Sequence, residues 1–189
     1  MNEDGIRSFI SIDVEDQGIL SGVERVQASL RNVGADLRIV GGLNVHVTLK
    51  FLGNLQSNMA GRVGDALDGL NFTPFRLELR GVGAFPNLNR ISIVWIGIGA
   101  GAGEVEAIYN QVERSMSGLD FTRENRSFNP HITIARVRSA RGKEQLAKLL
   151  TELQDNPFGS FTVDKVRLKQ SILHPNGPEY RTIREVVAK

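Results

Sequence analysis

Two short strings in this chain each place a histidine and a threonine one residue apart: His46-Val47-Thr48-Leu49 and His131-Ile132-Thr133-Ile134. Side chains alternate between the two faces of a β-strand. In each string, therefore, the histidine and the threonine share one face and the apolar residues take the other. Imidazole titrates near neutral pH, and a hydroxyl can donate a hydrogen bond to a charged oxygen. The repeated pattern predicts two sets of acid–base and hydroxyl groups, each on the polar face of a strand.

Hydrophobic spacing supplies the elements that must position these groups. The two strings lie in apolar-alternating segments at 45–52 and 132–137, which predict strands. Further strands are expected at 6–14, 37–40, 75–79, 90–98, 161–172 and 181–187, and helices at 16–32, 59–70, 105–119 and 143–153. Strands and helices are mixed without a strict βαβ alternation, so we expect an α+β fold with mainly antiparallel sheets.

Length and composition narrow the class of protein. The chain has 189 residues, of which 41% are apolar, and we expect one domain over 1–189 with a flexible tail at 1–5. It has no cysteine, which excludes disulfides, zinc–thiolate sites and cysteine nucleophiles. The acidic, polar start is unlike a secretory signal, and the apolar run at 91–98 is too short to span a bilayer. We therefore expect a cytoplasmic protein without membrane contact.

Positive charge is concentrated around the second string. The net charge is only +2, but the segment 122–143 contains a single acidic residue, Glu124, among several basic ones. The basic residues of that segment are Arg123, Arg126, Arg136, Arg138, Arg141 and Lys143. Positive potential beside a candidate site favours an anionic ligand. Solvated surface charge is the alternative explanation.

Together with their flanking residues, the two strings resemble the two-histidine (2H) phosphoesterase superfamily, and within it the RNA 2′,3′-cyclic phosphodiesterases, also called 2′-5′ RNA ligases. The similar segments are Arg7-Ser8-Phe9-Ile10-Ser11-Ile12-Asp13, His46-Val47-Thr48-Leu49-Lys50-Phe51-Leu52-Gly53, Gly83-Ala84-Phe85-Pro86, Arg90, Val94-Trp95 and Phe128-Asn129-Pro130-His131-Ile132-Thr133-Ile134-Ala135-Arg136, followed by Ser171 and Gly177-Pro178-Glu179-Tyr180. One His-x-Thr string is weak evidence, but two in this order with these neighbours are specific.

The resemblance implies a bilobal, pseudo-twofold fold in which each lobe contributes one motif to a central cleft. It also implies hydrolysis of RNA 2′,3′-cyclic phosphate ends to 2′-phosphomonoesters, with reversible 2′-5′ ligation at the same site. RNA with such an end, tRNA fragments among them, is then the expected partner. We expect the protein to act as a monomer, without a cofactor and without a metal ion. No acidic or histidine cluster in the sequence has metal-ligand spacing.

The chemistry of ring opening agrees with two histidines. In-line displacement at phosphorus needs a base behind the attacking water and an acid behind the leaving oxygen. By the resemblance, His46 is the acid that protonates the departing 3′ oxygen and His131 is the base. The Thr48 and Thr133 hydroxyls can then bond the two non-bridging oxygens, where negative charge gathers in the transition state.

Further residues near the strings have two interpretations each. Arg136 matches an arginine of the family that binds the phosphate or the terminal nucleotide. In a regular strand, however, it would lie on the face opposite to His131, and only a bulge would bring it back. In a regular strand Lys50 lies on the same face as His46, where it is either a phosphate ligand or a solvated surface residue. Phe9 and Phe51 either stack on a base or pack in the core, and Tyr180 either borders the cleft or supports the fold.

Two competing functions remain at this stage. A non-catalytic module could bind 2′,3′-cyclic phosphate or 2′-phosphate RNA ends, although binding alone needs cations rather than a titratable pair. The string Gly97-Ile98-Gly99-Ala100-Gly101-Ala102 also fits the fingerprint of a nicotinamide dinucleotide site. Because no second apolar strand ends near Asp120, we interpret it as a strand-to-helix turn.

Overall fold

A computed structural model of the chain describes residues 5–175 and 177–189. The strands are β1 (Ile6–Asp13), β2 (Leu37–Ile39), β3 (His46–Leu55), β4 (Phe75–Asn87), β5 (Arg90–Ile98), β6 (His131–Val137), β7 (Pro157–Val163), β8 (Lys165–His174) and β9 (Gly177–Val187). The helices are α1 (Gln17–Asn32), α2 (Ser57–Leu67), α3 (Ala102–Ser117) and α4 (Lys143–Glu152), with a short 3₁₀ helix at Gly42–Asn44. The α+β class expected from the sequence is confirmed.

One nine-stranded sheet contains both motif strands at its centre. The strand order is β7-β4-β5-β6-β3-β1-β8-β9, and β2 pairs with β6. Every pairing given for these strands is antiparallel, so the parallel βαβ unit of a dinucleotide-binding domain is not formed. The order has an approximate symmetry about the β3–β6 junction, because three strands follow on each side of the central pair. The domain boundaries of 1–189 and the tail at 1–5 stay predictions, and residues 1–4 lie outside the described part.

The helices bury the apolar face of the sheet. Val47 and Ile132, the residues between each histidine and its threonine, are fully buried. They belong to one hydrophobic core with residues of α1 and α3 such as Val23 and Val105. Asp16 caps α1, since its Oδ1 accepts a hydrogen bond of 2.9 Å from the Ile19 amide. The opposite, polar face of the central strands is left for the histidines.

Four strand predictions were wrong: those at 45–52, 75–79 and 161–172, and the one at 181–187, which begins at Gly177 as β9. β3 continues through Gly53 to Leu55 and β4 continues to Asn87, because glycines at positive φ, Gly53 and Gly81, sit at irregularities of the ladder instead of ending it. The segment 161–172 is two strands divided at Asp164. β7 pairs with β4 at one side of the sheet, whereas β8 pairs with β1 on the other.

The glycine string after β5 is a turn into α3. Gly101 has φ of 91° and precedes the helix. A Cβ there would stand 2.4 Å from the carbonyl oxygen of Arg76, so close packing against β4 explains the glycine. None of the helices in the described part of the chain has the length and apolarity that a membrane span requires.

Candidate active site

The two motif strands meet at one residue pair. Among the described residues, the antiparallel register between β3 and β6 consists of Val47 opposite Ile132. One residue further in each direction, antiparallel pairing sets His46 across from Thr133 and Thr48 across from His131. All four polar side chains are half-buried, while the apolar residues between them are fully buried. The structure therefore brings these four predicted residues to one face, around the symmetry point of the sheet.

Both imidazoles are held in the same way. His46 Nδ1 lies 2.7 Å from the carbonyl oxygen of Asn44, and His131 Nδ1 lies 2.7 Å from that of Asn129. A carbonyl oxygen can only accept a hydrogen bond, so Nδ1 must be the protonated nitrogen in each ring. The second nitrogen, Nε2, is then the atom that gains or loses a proton. Sequence reasoning missed these two carbonyls, although the spacing Asn-x-His occurs in both motifs.

Aromatic rings pack against His46. The Phe9 ring centroid is 5.0 Å from that of His46, and the Tyr180 ring meets His46 edge-on at 5.5 Å. Tyr180 thus borders the site, one of its two predicted positions. The Asn44 side chain also donates a 2.9 Å hydrogen bond to the Pro178 carbonyl oxygen. The start of β9 is therefore fastened to the segment that holds the first imidazole.

A layer of charged side chains lies next to His46. Asp13 of β1 is the cross-strand partner of His46. Its Oδ2 accepts hydrogen bonds from Lys169 Nζ at 2.6 Å and from Arg167 Nη1 at 2.9 Å. The Ser11 hydroxyl donates to Oδ1 at 2.9 Å. Burial raises the pKa of Asp13, but these donors outweigh it and the pKa falls below its usual value, so the carboxylate is charged at neutral pH.

Burial dominates the pKa of His46. Removing the ring from water lowers the pKa, and the nearby charges of Lys169 and His131 lower it as well. The hydrogen bond to Asn44 and the negative charge of Asp13 act in the opposite direction. The net pKa is below the ordinary histidine value of 6.5. His46 and His131 flank the paired residues Val47 and Ile132, so the charge of one ring acts on the other.

His131 has different neighbours. The Phe85 ring meets it edge-on at a centroid distance of 4.8 Å, and the Trp95 ring lies 5.2 Å from Phe85. Burial is the main cause that lowers the pKa of His131, the hydrogen bond to Asn129 opposes it, and the positive charge of Arg136 lowers it further. The first histidine thus has a carboxylate as its strand partner, and the second has a guanidinium nearby.

A bulge in β6 returns Arg136 to the site face. In the pairing with β5, Ala135 is opposite Val94 and Thr133 is opposite Trp95, so Ile134 has no opposite residue. Ile134 and Ala135 are both buried, and Arg136 is exposed. Strict alternation would place Arg136 on the face opposite to His131. The extra residue shifts the alternation by one, so Arg136 lies on the same face as His131.

A matching bulge in β3 removes Lys50 from the site. In the pairing with β1, Ile10 is opposite Lys50 and Ser11 is opposite Thr48, which leaves Leu49 unpaired. Lys50 is buried, with Nζ 2.5 Å from Glu113 Oε1 of α3 and 3.0 Å from the Thr122 carbonyl oxygen. Neither interpretation of Lys50, phosphate ligand or solvated surface residue, was right.

The aromatic residues expected near the motif differ in exposure. Phe51 lies on the same face as His46 and is 70% exposed. Its strand partner Phe9 is on that face too, but it is buried at 3% beneath His46 rather than packed in the hydrophobic core. The third histidine, His174, is exposed and its Nε2 lies 3.0 Å from Glu179 Oε2. Within residues 5–175 and 177–189, no group of three or more histidine, aspartate or glutamate side chains is arranged to hold a metal ion.

Comparison with known proteins agrees with the resemblance in the sequence. The family model of the 2′-5′ RNA ligase superfamily matches residues 20–171. A protein of Aeropyrum pernix named RNA 2′,3′-cyclic phosphodiesterase is 43% identical over 164 residues, which are 87% of this chain and 93% of that protein. A protein of the same name from Methanothermobacter thermautotrophicus is 36% identical over 183 residues, covering 93% of this chain and 95% of the relative.

Solved structures with the same fold are more distant in sequence. The crystal structure of E. coli LigT in apo form superposes with a TM-score of 0.77 at 21% identity, covering 98% of this chain and 99% of LigT. The Thermus thermophilus protein TT0787 gives a TM-score of 0.77 at 23% identity over 96% of this chain and 97% of its own. At such identities these structures support the fold.

Proposed function

The chain belongs to the 2′-5′ RNA ligase superfamily, and we propose that it is an RNA 2′,3′-cyclic phosphodiesterase that works without a metal ion. It hydrolyses the terminal cyclic phosphate to a 2′-phosphomonoester. The observation that carries the proposal is the matched pair of imidazoles on one face of the central strands, each held through Nδ1 by a backbone carbonyl. The relatives that are named for this activity support the substrate class.

The reaction breaks the bond between phosphorus and the 3′ oxygen. Water attacks phosphorus in line with that bond while Nε2 of His131 accepts its proton. Nε2 of His46, protonated beforehand, donates a proton to the departing 3′ oxygen. The product has a 2′-phosphate and a 3′-hydroxyl, and the proton taken by one histidine balances the proton given by the other.

Charges around the two rings support this division of roles. A general acid must be protonated in the ground state; burial brings the pKa of His46 below its ordinary value, and the carboxylate of Asp13 is the charge that favours its imidazolium form. A general base must be neutral, and Arg136 disfavours the imidazolium form of His131. This difference supports the proposal that the acid is the histidine beside the carboxylate and the base is the one beside the guanidinium.

The remaining site residues bind the charge on the phosphate. Thr48 and Thr133 donate hydrogen bonds to its two non-bridging oxygens, which gain negative charge in the transition state. Arg136, which shares the face of His131, contributes a positive charge to the same group. The strained five-membered ring of the substrate lowers the barrier to opening, so the imidazoles and hydroxyls do not need a metal ion to activate water.

The same site supports 2′-5′ ligation, which is the reverse of the cleavage of a 2′-5′ linkage. An RNA 5′-hydroxyl in the position of water can attack the cyclic phosphate and form a 2′-5′ linkage, because the acid and the base serve either nucleophile. Hydrolysis prevails where water is abundant. RNA ends, including tRNA fragments, are the proposed partners, and the proposal assumes a monomer in the cytoplasm.

A dinucleotide that ends in a 2′,3′-cyclic phosphate tests the proposal. We expect the wild-type protein to hydrolyse it in the presence of EDTA, with phosphorus NMR showing a 2′-phosphate rather than a 3′-phosphate. Activity that disappears with EDTA and returns with a divalent ion would contradict metal independence. Tight binding of the dinucleotide with no turnover would favour the alternative, a module that only binds such ends.

A further inference from the structure

A second arginine stands directly opposite Arg136. In the short pairing of β2 with β6, Arg38 is the cross-strand partner of Arg136. Directly opposite residues of an antiparallel pair project from the same face, with Cβ atoms about 4.5–5.5 Å apart. Both side chains are exposed, while their strand neighbours Leu37 and Ala135 turn towards the core. Two guanidinium groups therefore project side by side from the face that bears the histidines.

Within the part of the chain that the structure describes, no carboxylate lies within 4.0 Å of either guanidinium. Arg167, Arg181 and Arg184 have carboxylate partners, and what distinguishes Arg38 and Arg136 from the remaining arginines is that they lie directly opposite each other. Like charges directly opposite each other destabilise a strand pair. Anionic groups bound at the two arginines would relieve this repulsion, and guanidinium groups suit phosphate oxygens because they offer paired donors.

The two arginines lie at different depths of the site. Arg136 lies on the same strand as His131 and adds to burial in lowering the pKa of that ring, whereas Arg38 lies on the neighbouring strand β2. Arg38 also extends towards the start of β9, since its Nη2 would be 3.7 Å from a Cβ placed at Gly177. Arg136 is thus the nearer residue to the reacting phosphate, and Arg38 is one step further out along the same face.

From this placement we infer that Arg38 binds the internucleotide phosphate that precedes the terminal nucleotide of the RNA, next to the cyclic phosphate that Arg136 contacts. The inference rests on the proposed function, because the cyclic phosphate must occupy the position between the histidines. An RNA end then presents two anions in sequence: the cyclic phosphate at His46 and His131, and the preceding phosphodiester at Arg38. A mononucleoside cyclic phosphate lacks the second anion. Arg38 is therefore a specificity residue that favours oligonucleotide ends.

The test compares two dinucleotides that differ only in the charge of the internucleotide linkage. Both end in a 2′,3′-cyclic phosphate, but one has a phosphodiester and the other an uncharged methylphosphonate. We expect Arg38→Ala to lower kcat/KM about ten- to hundredfold on the phosphodiester, the range for a hydrogen bond to a charged group. On the methylphosphonate we expect less than about a twofold change. Arg38→Lys should show a smaller loss, since it keeps the charge without the paired donors.

Arg62→Ala is the matched control, because Arg62 is an exposed arginine of α2 and lies away from the site. It should leave both rates unchanged. Equal losses on both substrates in Arg38→Ala, or no loss on either, would overturn the inference. Dissociation constants for the two hydrolysed dinucleotides, with the 2′-phosphate in place, separate this result from the activity itself. They should show the same linkage-dependent loss even if the protein proves not to turn over.

Discussion

The surroundings of His46 and of His131 differ although the local geometry is the same. Each imidazole has the same restraint, a 2.7 Å contact between Nδ1 and the carbonyl oxygen two residues before it. Around His46 are Asp13 and the cations that pair with it. Around His131 are the aromatic Phe85 and the positive charge of Arg136. A repeated backbone thus holds the two imidazoles in the same way, while the charges around them differ, and we propose that this difference separates the acid from the base.

The two motif strands also share a bulge three residues after each histidine, at Leu49 and at Ile134. The next residue is buried in both halves, Lys50 in one and Ala135 in the other. The residue after that returns to the site face. There the first half presents Phe51 and the second half presents Arg136. The shared bulge therefore gives one half an aromatic surface and the other a cation, which suit the base and the phosphate of a nucleotide respectively.

Removing either imidazole should have the largest effect. His46→Ala and His131→Ala should each lower kcat/KM on a 2′,3′-cyclic phosphate by about 10²–10⁴-fold, because each removes one proton transfer from the transition state. Steady-state kinetics with an unchanged circular dichroism spectrum checks this. His174→Ala, which changes an exposed histidine of β8, should behave as the wild type. A loss confined to one of the two site variants would break the proposed equivalence of the halves.

The buried ion pair of the first half should matter for stability. Lys50 of the first half occupies the position of Ala135 in the second half. Lys50→Ala makes the two positions alike, but it leaves the carboxylate of Glu113 buried without its partner. We expect the free energy of unfolding to fall by about 3 kcal/mol, the lower end of the range for breaking a buried pair. Urea denaturation measures this change.

Lys165→Ala is the control for that measurement. Lys165 and Glu185 form a looser pair at 3.8 Å, and both side chains are 36% exposed. Its loss should be within about 0.5 kcal/mol. Adding Glu113→Gln to Lys50→Ala should recover part of the stability, because it removes the unpaired charge. If Lys50→Ala costs no more than Lys165→Ala, the buried pair does not stabilise the fold as described.

The smallest predicted effect tests whether the charge of Asp13 distinguishes His46 from His131. Asp13→Asn removes the negative charge that raises the pKa of His46, so the pKa of this ring falls further. Above the pKa values of both histidines, kcat/KM is proportional to the protonated fraction of the acid. It should therefore drop about three- to tenfold there, corresponding to a shift of about one pKa unit or less. Below both pKa values the rate depends on the pKa of His131 and should not change.

A pH profile of kcat/KM for Asp13→Asn beside wild type decides the point. Glu15→Gln is the matched control, because Glu15 also pairs with Arg167, at 2.7 Å, but is not the strand partner of His46. Glu15→Gln should leave both the acidic and the alkaline side of the pH profile unchanged. A rise on the acidic side with no change on the alkaline side would instead make His46 the base.

Alternation along strands was sufficient to predict the four central residues. The histidine and the threonine of each motif lie before the bulge of their strand. Regular alternation of side chains between the two faces therefore holds for them. It fails for Lys50 and Arg136, which lie beyond the bulges. Bulge positions depend on pairing with β1 and β5, which the motif strands themselves do not encode. Alternation therefore predicted the face of a side chain correctly only as far as the first bulge of its strand.

Other parts of the site required knowledge of strand neighbours. Asp13 and Arg38 are distant in sequence from the residues they accompany, and only the registers of β1 with β3 and of β2 with β6 bring them together. The carbonyl contacts of Asn44 and Asn129 involve the backbone, which no residue type specifies. Only the repeated Asn-x-His spacing in the two motifs could have pointed to them.

The assignment of acid and base is tested most directly with a substrate whose bridging 3′ oxygen is replaced by sulfur. A thiolate leaves readily without protonation, because a thiol has a pKa of about 8.5. On this substrate we expect His46→Ala to release thiol within about tenfold of the wild-type rate, since the acid is no longer needed. His131→Ala should remain at least about a hundredfold slower, since water still needs its base. If instead His131→Ala is rescued by sulfur and His46→Ala is not, the two roles are the reverse of those proposed.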